Sequence, residues 1–168
     1  MSITCNLIKF LDHVNSVVGK CVRWFALVMV LLQFAIVVLR YVFGISFIFL
    51  NESVLYLHGA LFMLGAGYTL LVDSHVRVDI FYAQMKPRQK SIINILGIGF
   101  LLLPSMSALL FYSWPSVWRS WSILEGPISV GGIPASFLLK TLIPLFCLLL
   151  IIQGVACLLK ESLNLKES

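Results

Sequence analysis

Four long stretches of the chain contain no charged residue. They cover residues 24–39, 53–72, 91–118 and 141–159, and apolar residues fill most of each. An α-helix needs about 20 mainly apolar residues to cross the hydrocarbon core of a bilayer. The first stretch reaches this length if the Arg40 side chain extends to the membrane surface. The pattern therefore predicts an all-α membrane protein with four transmembrane helices, at about residues 22–43, 52–72, 91–113 and 136–159.

Composition agrees with this assignment. The 168 residues are 60% hydrophobic and 11% charged, whereas an ordinary soluble domain has about 25% charged residues. A soluble enzyme or a nucleic-acid-binding domain would have to expose much of this apolar surface to water, so neither class is expected, and nucleic acid is not an expected partner. No small-residue cleavage site follows the first stretch, which favours an uncleaved helix over a signal peptide.

The basic residues predict an orientation. Three of the 12 Lys and Arg residues flank one side of the predicted membrane domain, namely Arg40, Arg119 and Lys140. The other nine flank the opposite side and are Lys9, Lys20, Arg23, Arg77, Lys86, Arg88, Lys90, Lys160 and Lys166. Because cytoplasmic flanks carry the excess of Lys and Arg, both termini are predicted to be cytoplasmic.

The connections between the spans differ in character. Residues 44–51 form a tight, hydrophobic external loop, and residues 114–135, with three prolines and three glycines, form the longest external connection. Residues 73–90 mix charged and apolar side chains, which predicts a short segment at the membrane interface in contact with lipid headgroups. No composition shift divides the chain, so residues 1–168 are predicted to form a single four-helix membrane domain.

Few residues in the spans carry chemistry. The predicted spans contain polar side chains, including Gln33, His58, Asn94 and Gln153, but no acidic or basic residue near their centres. The four cysteines lack metal-ligand spacing, and no catalytic constellation is present. Haem ligation would need two histidines at one depth, and only His58 lies within a span. Neither catalysis nor a cofactor or metal is therefore expected.

Arg40 and Glu52 lie at the external ends of neighbouring spans. They are close enough in sequence to pair across the tight loop. The alternative is that each is a separate anchor to lipid headgroups.

Several short motifs occur in order with short gaps. They read RYVFG at residues 40–44, NE at 51–52, FMLGAG at 62–67 and HVRVD at 75–79. This series resembles the small membrane subunit (Q-type, DctQ-like) of tripartite ATP-independent periplasmic (TRAP) transporters, over about residues 20–160. The chain departs from that family pattern at Phe49, where the family often has Trp, and at Asn51, where it often has the first of two acids.

The resemblance implies an accessory subunit in a bacterial inner membrane. Such a subunit would brace a large multi-span membrane subunit that performs sodium-coupled import of an organic acid, and would help a periplasmic substrate-binding protein to dock. The structural and interface candidates within the motifs are Arg40, Tyr41, Glu52, Gly65, His75, Arg77 and Asp79. The alternative function is a self-sufficient four-helix exporter that acts as an oligomer, for which a membrane-embedded acid would be expected.

Overall fold

The structure, a computed structural model, describes residues 2–74, 82 and 84–167, with the backbone alone at 2, 3, 166 and 167. Its regular elements in these ranges are α1 (Ser2–Val42), α2 (Ile48–Leu71), α3 (Pro87–Leu96), α4 (Leu103–Ser122) and α5 (Ser136–Glu167). A π-helical stretch, Gly97–Leu102, joins α3 to α4, so that Pro87–Ser122 is one continuous third helix. Four helices are long and apolar enough to span a membrane, which confirms the predicted all-α fold class.

α5 is the central helix. It packs against α1, α2 and the third helix, whereas the third helix packs mainly against α5. The other three helices therefore form an open arrangement around α5. We call the end that carries the chain termini the terminal end, and the end that carries residues 123–135 the loop end.

The first helix begins about 20 residues before the predicted span. Ile8, Asn15, Gly19 and Val22 recur every three to seven residues and are buried on one face of α1. This helical periodicity runs through a segment with charged residues, which lies outside the uncharged stretch used to predict the span. α1 thus begins before the predicted boundary, because one face of its more polar N-terminal part is still packed.

The third helix also extends beyond the predicted span through its last part, α4, and the prediction of a connection over residues 114–122 was wrong. α4 continues to Ser122 because its last turns pack on α5. The Trp121 indole N–H donates to the Thr141 hydroxyl at 2.8 Å, and its ring centroid lies 4.7 Å from that of Phe137. The connection at the loop end is therefore residues 123–135.

Of the other two connections, the structure describes the first in full and the second only in part. α2 begins at Ile48, so the loop after α1 is shorter than predicted, and Gly44 provides its turn with a φ of +68°. α3 begins at Pro87, where the Gln89 side chain accepts a hydrogen bond from the Lys86 N–H at 3.1 Å. The rest of the predicted interfacial segment, residues 75–81 and 83, lies outside the described residues.

Candidate functional site

A buried carboxylate attaches the long loop to α2. Glu52 is only 6% exposed, and its two oxygens accept hydrogen bonds from the Ser129 N–H at 2.9 Å and the Ile133 N–H at 2.7 Å. Gly132 lies so close that a Cβ atom there would overlap the carboxylate. We call Glu52, Ser129, Gly132 and Ile133 the Glu52 clasp. It gives the loop end a defined backbone path.

The hypothesis that Arg40 pairs with Glu52 was wrong. Within the described residues no ion pair joins them, and both oxygens of Glu52 accept hydrogen bonds from the loop instead. Arg40 is exposed in the last turn of α1, where a cation interacts favourably with the helix dipole. Its neighbour Tyr41 is 80% exposed and projects away from the other helices. Sequence proximity suggested the wrong partner for Glu52, since the true partners are about 80 positions away.

The start of the same loop is held by a second carboxylate. Glu125 pairs with Lys140 of α5 at 2.5 Å and also accepts a hydrogen bond from the Ser120 hydroxyl. Two hydrogen bonds lower the pKa of Glu125 below its ordinary value. The bond from Lys140 has the larger effect, and the bond from Ser120 has the second largest. Residues 123–135 are therefore tied to α2, α4 and α5.

A polar cluster joins α1 to α5 towards the terminal end. Asn15 and Gln153 are completely buried, and the Asn15 side-chain amide donates to the Gln153 side-chain oxygen at 3.0 Å. Gln153 in turn donates to Asp12 at 3.0 Å, and Asp12 pairs with Lys160 at 2.8 Å. The sequence interpretation noted Gln153 but missed Asp12 and Asn15, which precede the first uncharged stretch. Their spacing with Ile8 and Gly19 was the available signal.

A similar cluster joins the third helix to α5. The Ser91 hydroxyl and the Asn94 amide each donate to Glu161 at 2.7 Å, and Asn94 also bonds the Tyr82 hydroxyl. Buried polar groups are costly unless they are hydrogen-bonded. Both clusters pair such groups between helices, although the buried side-chain oxygen of Asn15 has no hydrogen-bond partner among the described residues.

The glycine motif on α2 divides into two roles. Gly67 packs against Asn15 and Leu149, and a Cβ atom there would overlap the Asn15 side-chain oxygen. Gly65, the predicted interface candidate, faces open space, since a Cβ atom there would meet nothing within 4 Å. Helix contact thus depends on Gly67. The remaining candidates, His75, Arg77 and Asp79, lie outside the described residues.

Residues 29–163 match the family model of the DctQ component of tripartite ATP-independent periplasmic transporters. The chain belongs to this DctQ family. The match includes part of α1, all of α2, α3 and α4 and most of α5, and therefore also Glu52, Asn94 and Gln153. Asp12 and Asn15 precede its first residue, so the α1 side of one polar cluster lies outside the DctQ match. No curated protein sequence and no solved structure matches the chain significantly.

Proposed function

We propose that the chain is the accessory small membrane subunit of a sodium-coupled TRAP transporter that imports an organic acid. It braces the large transport subunit in a bacterial inner membrane and helps the periplasmic substrate-binding protein to dock. Membership of the DctQ family supports the role of small membrane component. Sodium coupling, the carboxylate substrate and the two protein partners follow from the resemblance to TRAP transporters.

The open helix arrangement is the observation that carries the proposal. The third helix packs on α5 with one side, and its other side exposes large apolar residues such as Phe100, Leu101, Phe111 and Tyr112. Extended apolar faces of this kind contact lipid or another membrane protein. In addition, the buried polar side chains of the two clusters bond to one another across helix contacts. These features support a bracing role better than a pathway for a charged substrate.

The loop end supports the docking role. Both Glu52 and Glu125 hold residues 123–135, yet Val130 at the loop's tip is 93% exposed and Ile128 is also exposed. A loop with a fixed backbone and exposed apolar residues loses little entropy when a partner binds. With both termini in the cytoplasm, as proposed from the basic residues, this loop faces the periplasm and the binding protein.

Co-purification tests the proposed assembly. The tagged chain is expressed with the large membrane protein encoded beside it and extracted in mild detergent. We expect the two to elute together in a constant ratio, while an unrelated four-helix membrane protein with the same tag retains none of the large protein. Elution of the chain as a homo-oligomer without the large protein would contradict the proposal and favour the exporter.

A further inference from the structure

A groove of about 490 Å³ lies between α1 and α2 near the terminal end. Gly19 and Val22 line it on α1, and Leu61, Gly65 and Ala66 line it on α2. Its volume is within the range of roughly 300–1,000 Å³ that is usual for small-molecule sites. The groove is open because Gly65 has no side chain and Ala66 has a small one.

The two helices line the groove over different lengths. On α2 the lining residues run from Leu61 to Thr69, which is about 12 Å at about 1.5 Å per residue, and on α1 they run from Gly19 to Arg23, which is about 6 Å. One leaflet contributes about 15 Å of the hydrocarbon core. The groove therefore covers part of the length of an acyl chain.

Two cations line the groove on α1. Lys20 and Arg23 are exposed, and the Arg23 guanidinium lies 5.9 Å from the centre of the Trp24 ring. Neither side chain forms an ion pair within the described residues. The groove thus combines apolar walls with two positive charges.

We propose that this groove binds one anionic phospholipid, with an acyl chain between α1 and α2 and its phosphate at Lys20 and Arg23. Charge complementarity decides between this ligand and an apolar helix of a partner protein. A helix in the groove would leave both cations without a counter-charge, whereas a lipid phosphate provides one. The proposal is independent of the transporter's other subunits.

Native mass spectrometry of the purified full-length chain tests the proposal. The chain is delipidated and offered phosphatidylglycerol or phosphatidylcholine with the same acyl chains. Each cation near an anionic group contributes about fivefold in affinity. We expect phosphatidylglycerol to be retained at least about tenfold more strongly, with one high-affinity molecule per chain. Equal retention of the two lipids would overturn the proposal.

Two pairs of variants locate the site. Replacing the cations by Lys20→Gln and Arg23→Gln should abolish the preference for phosphatidylglycerol, while Lys86→Gln with Arg88→Gln, which removes the same charge outside the groove, should preserve it. Gly65→Leu should fill the groove and reduce the binding of the high-affinity lipid. The control Gly99→Leu also adds a side chain in open space, but it does so on the third helix and should not affect binding.

The variants are compared only after their helix content and unfolding temperatures have been shown to match the parent chain. A preference for phosphatidylglycerol that survives both groove variants would overturn the proposal. In the assembled transporter, a disulfide from Gly65→Cys to a cysteine placed in the large subunit would mean that a protein helix occupies the groove. That result would overturn the lipid assignment as well.

Discussion

At the scale of single residues, Glu52 shows how one carboxylate can organise a distant loop. Its oxygens accept the N–H groups of Ser129 and Ile133, and no side chain could replace Gly132 without displacing it. A hydrogen bond to a charged acceptor is stronger than one between neutral groups, and a buried donor left unpaired is costly. The loop therefore depends on a residue that precedes it by about 80 positions.

Replacing Glu52 by Ala should release the loop. Ser129 and Ile133 would lose their acceptors, so we expect a fall of a few degrees in the unfolding temperature and faster proteolysis within residues 123–135. Circular dichroism in detergent and mass spectrometry of the fragments measure the two effects. The control Asn51→Ala changes an exposed amide that donates to the carbonyl of Phe47, the residue just before α2. Equal proteolysis of the two variants would refute the clasp.

The sequence identified Glu52 as a structural candidate, but it did not identify the partners of this carboxylate. Arg40 was the nearest opposite charge in sequence. The hydrogen bonds from Ser129 and Ile133 to Glu52 depend instead on how residues 126–135 turn back onto α2. The motif FMLGAG contains both Gly65 and Gly67, and only Gly65 was predicted from the sequence as an interface candidate. Only the crossing of α1 over α2 distinguishes the glycine that contacts Asn15 from the one that lines the groove.

At the scale of helices, the packing of α1, α2 and α5 converges on Gly67. A Cβ atom at residue 67 would overlap the side-chain oxygen of Asn15 on α1. It would also lie only 3.2 Å from the Cβ atom of Leu149 on α5. Close approach of helices in membranes requires small residues at such points. The number and approximate centres of the helices follow from hydropathy. The continuation of α1 to Ser2 and of α4 to Ser122 depends instead on tertiary contacts that a count of uncharged residues does not register.

Gly67→Ala should destabilise the helix junction, whereas Gly65→Ala should not. Overpacking a tight contact costs about 1–3 kcal/mol, so we expect a clear loss of thermal stability for Gly67→Ala. Gly65→Ala adds a methyl group in open space and should be neutral or stabilising by up to about 1 kcal/mol, because Ala favours the helix. Thermal unfolding of the two variants in one detergent measures the difference. A loss of stability in Gly65→Ala equal to that in Gly67→Ala would contradict the packing.

At the scale of the whole molecule, the described chain has three long helices in an open arrangement around a fourth, α5. Polar clusters lie towards the terminal end, and a fixed loop lies at the other end. The fold class and the family were predictable, because hydropathy and the order of the motifs can be read from the sequence alone. The arrangement around α5 was not, since uniformly apolar helices do not specify which of their faces pack together.

The orientation proposed from the basic residues can be tested with a reporter. Nine of the 12 Lys and Arg residues belong to the side predicted from the sequence to be cytoplasmic, so a reporter active only outside the cytoplasm should give no signal when fused to the C-terminus. The same reporter inserted at Val130 should be active, because the loop end then faces the periplasm. A strong signal from the C-terminal fusion would reverse the orientation and remove the loop from the side of the binding protein.

The accessory role is tested most directly by reconstitution. Uptake of a radiolabelled organic acid under a sodium gradient is measured in liposomes that contain this chain, the large membrane subunit, or both, with the binding protein added in each case. We predict uptake only when both membrane subunits are present, and none by the chain alone. Uptake by the chain alone would contradict the account.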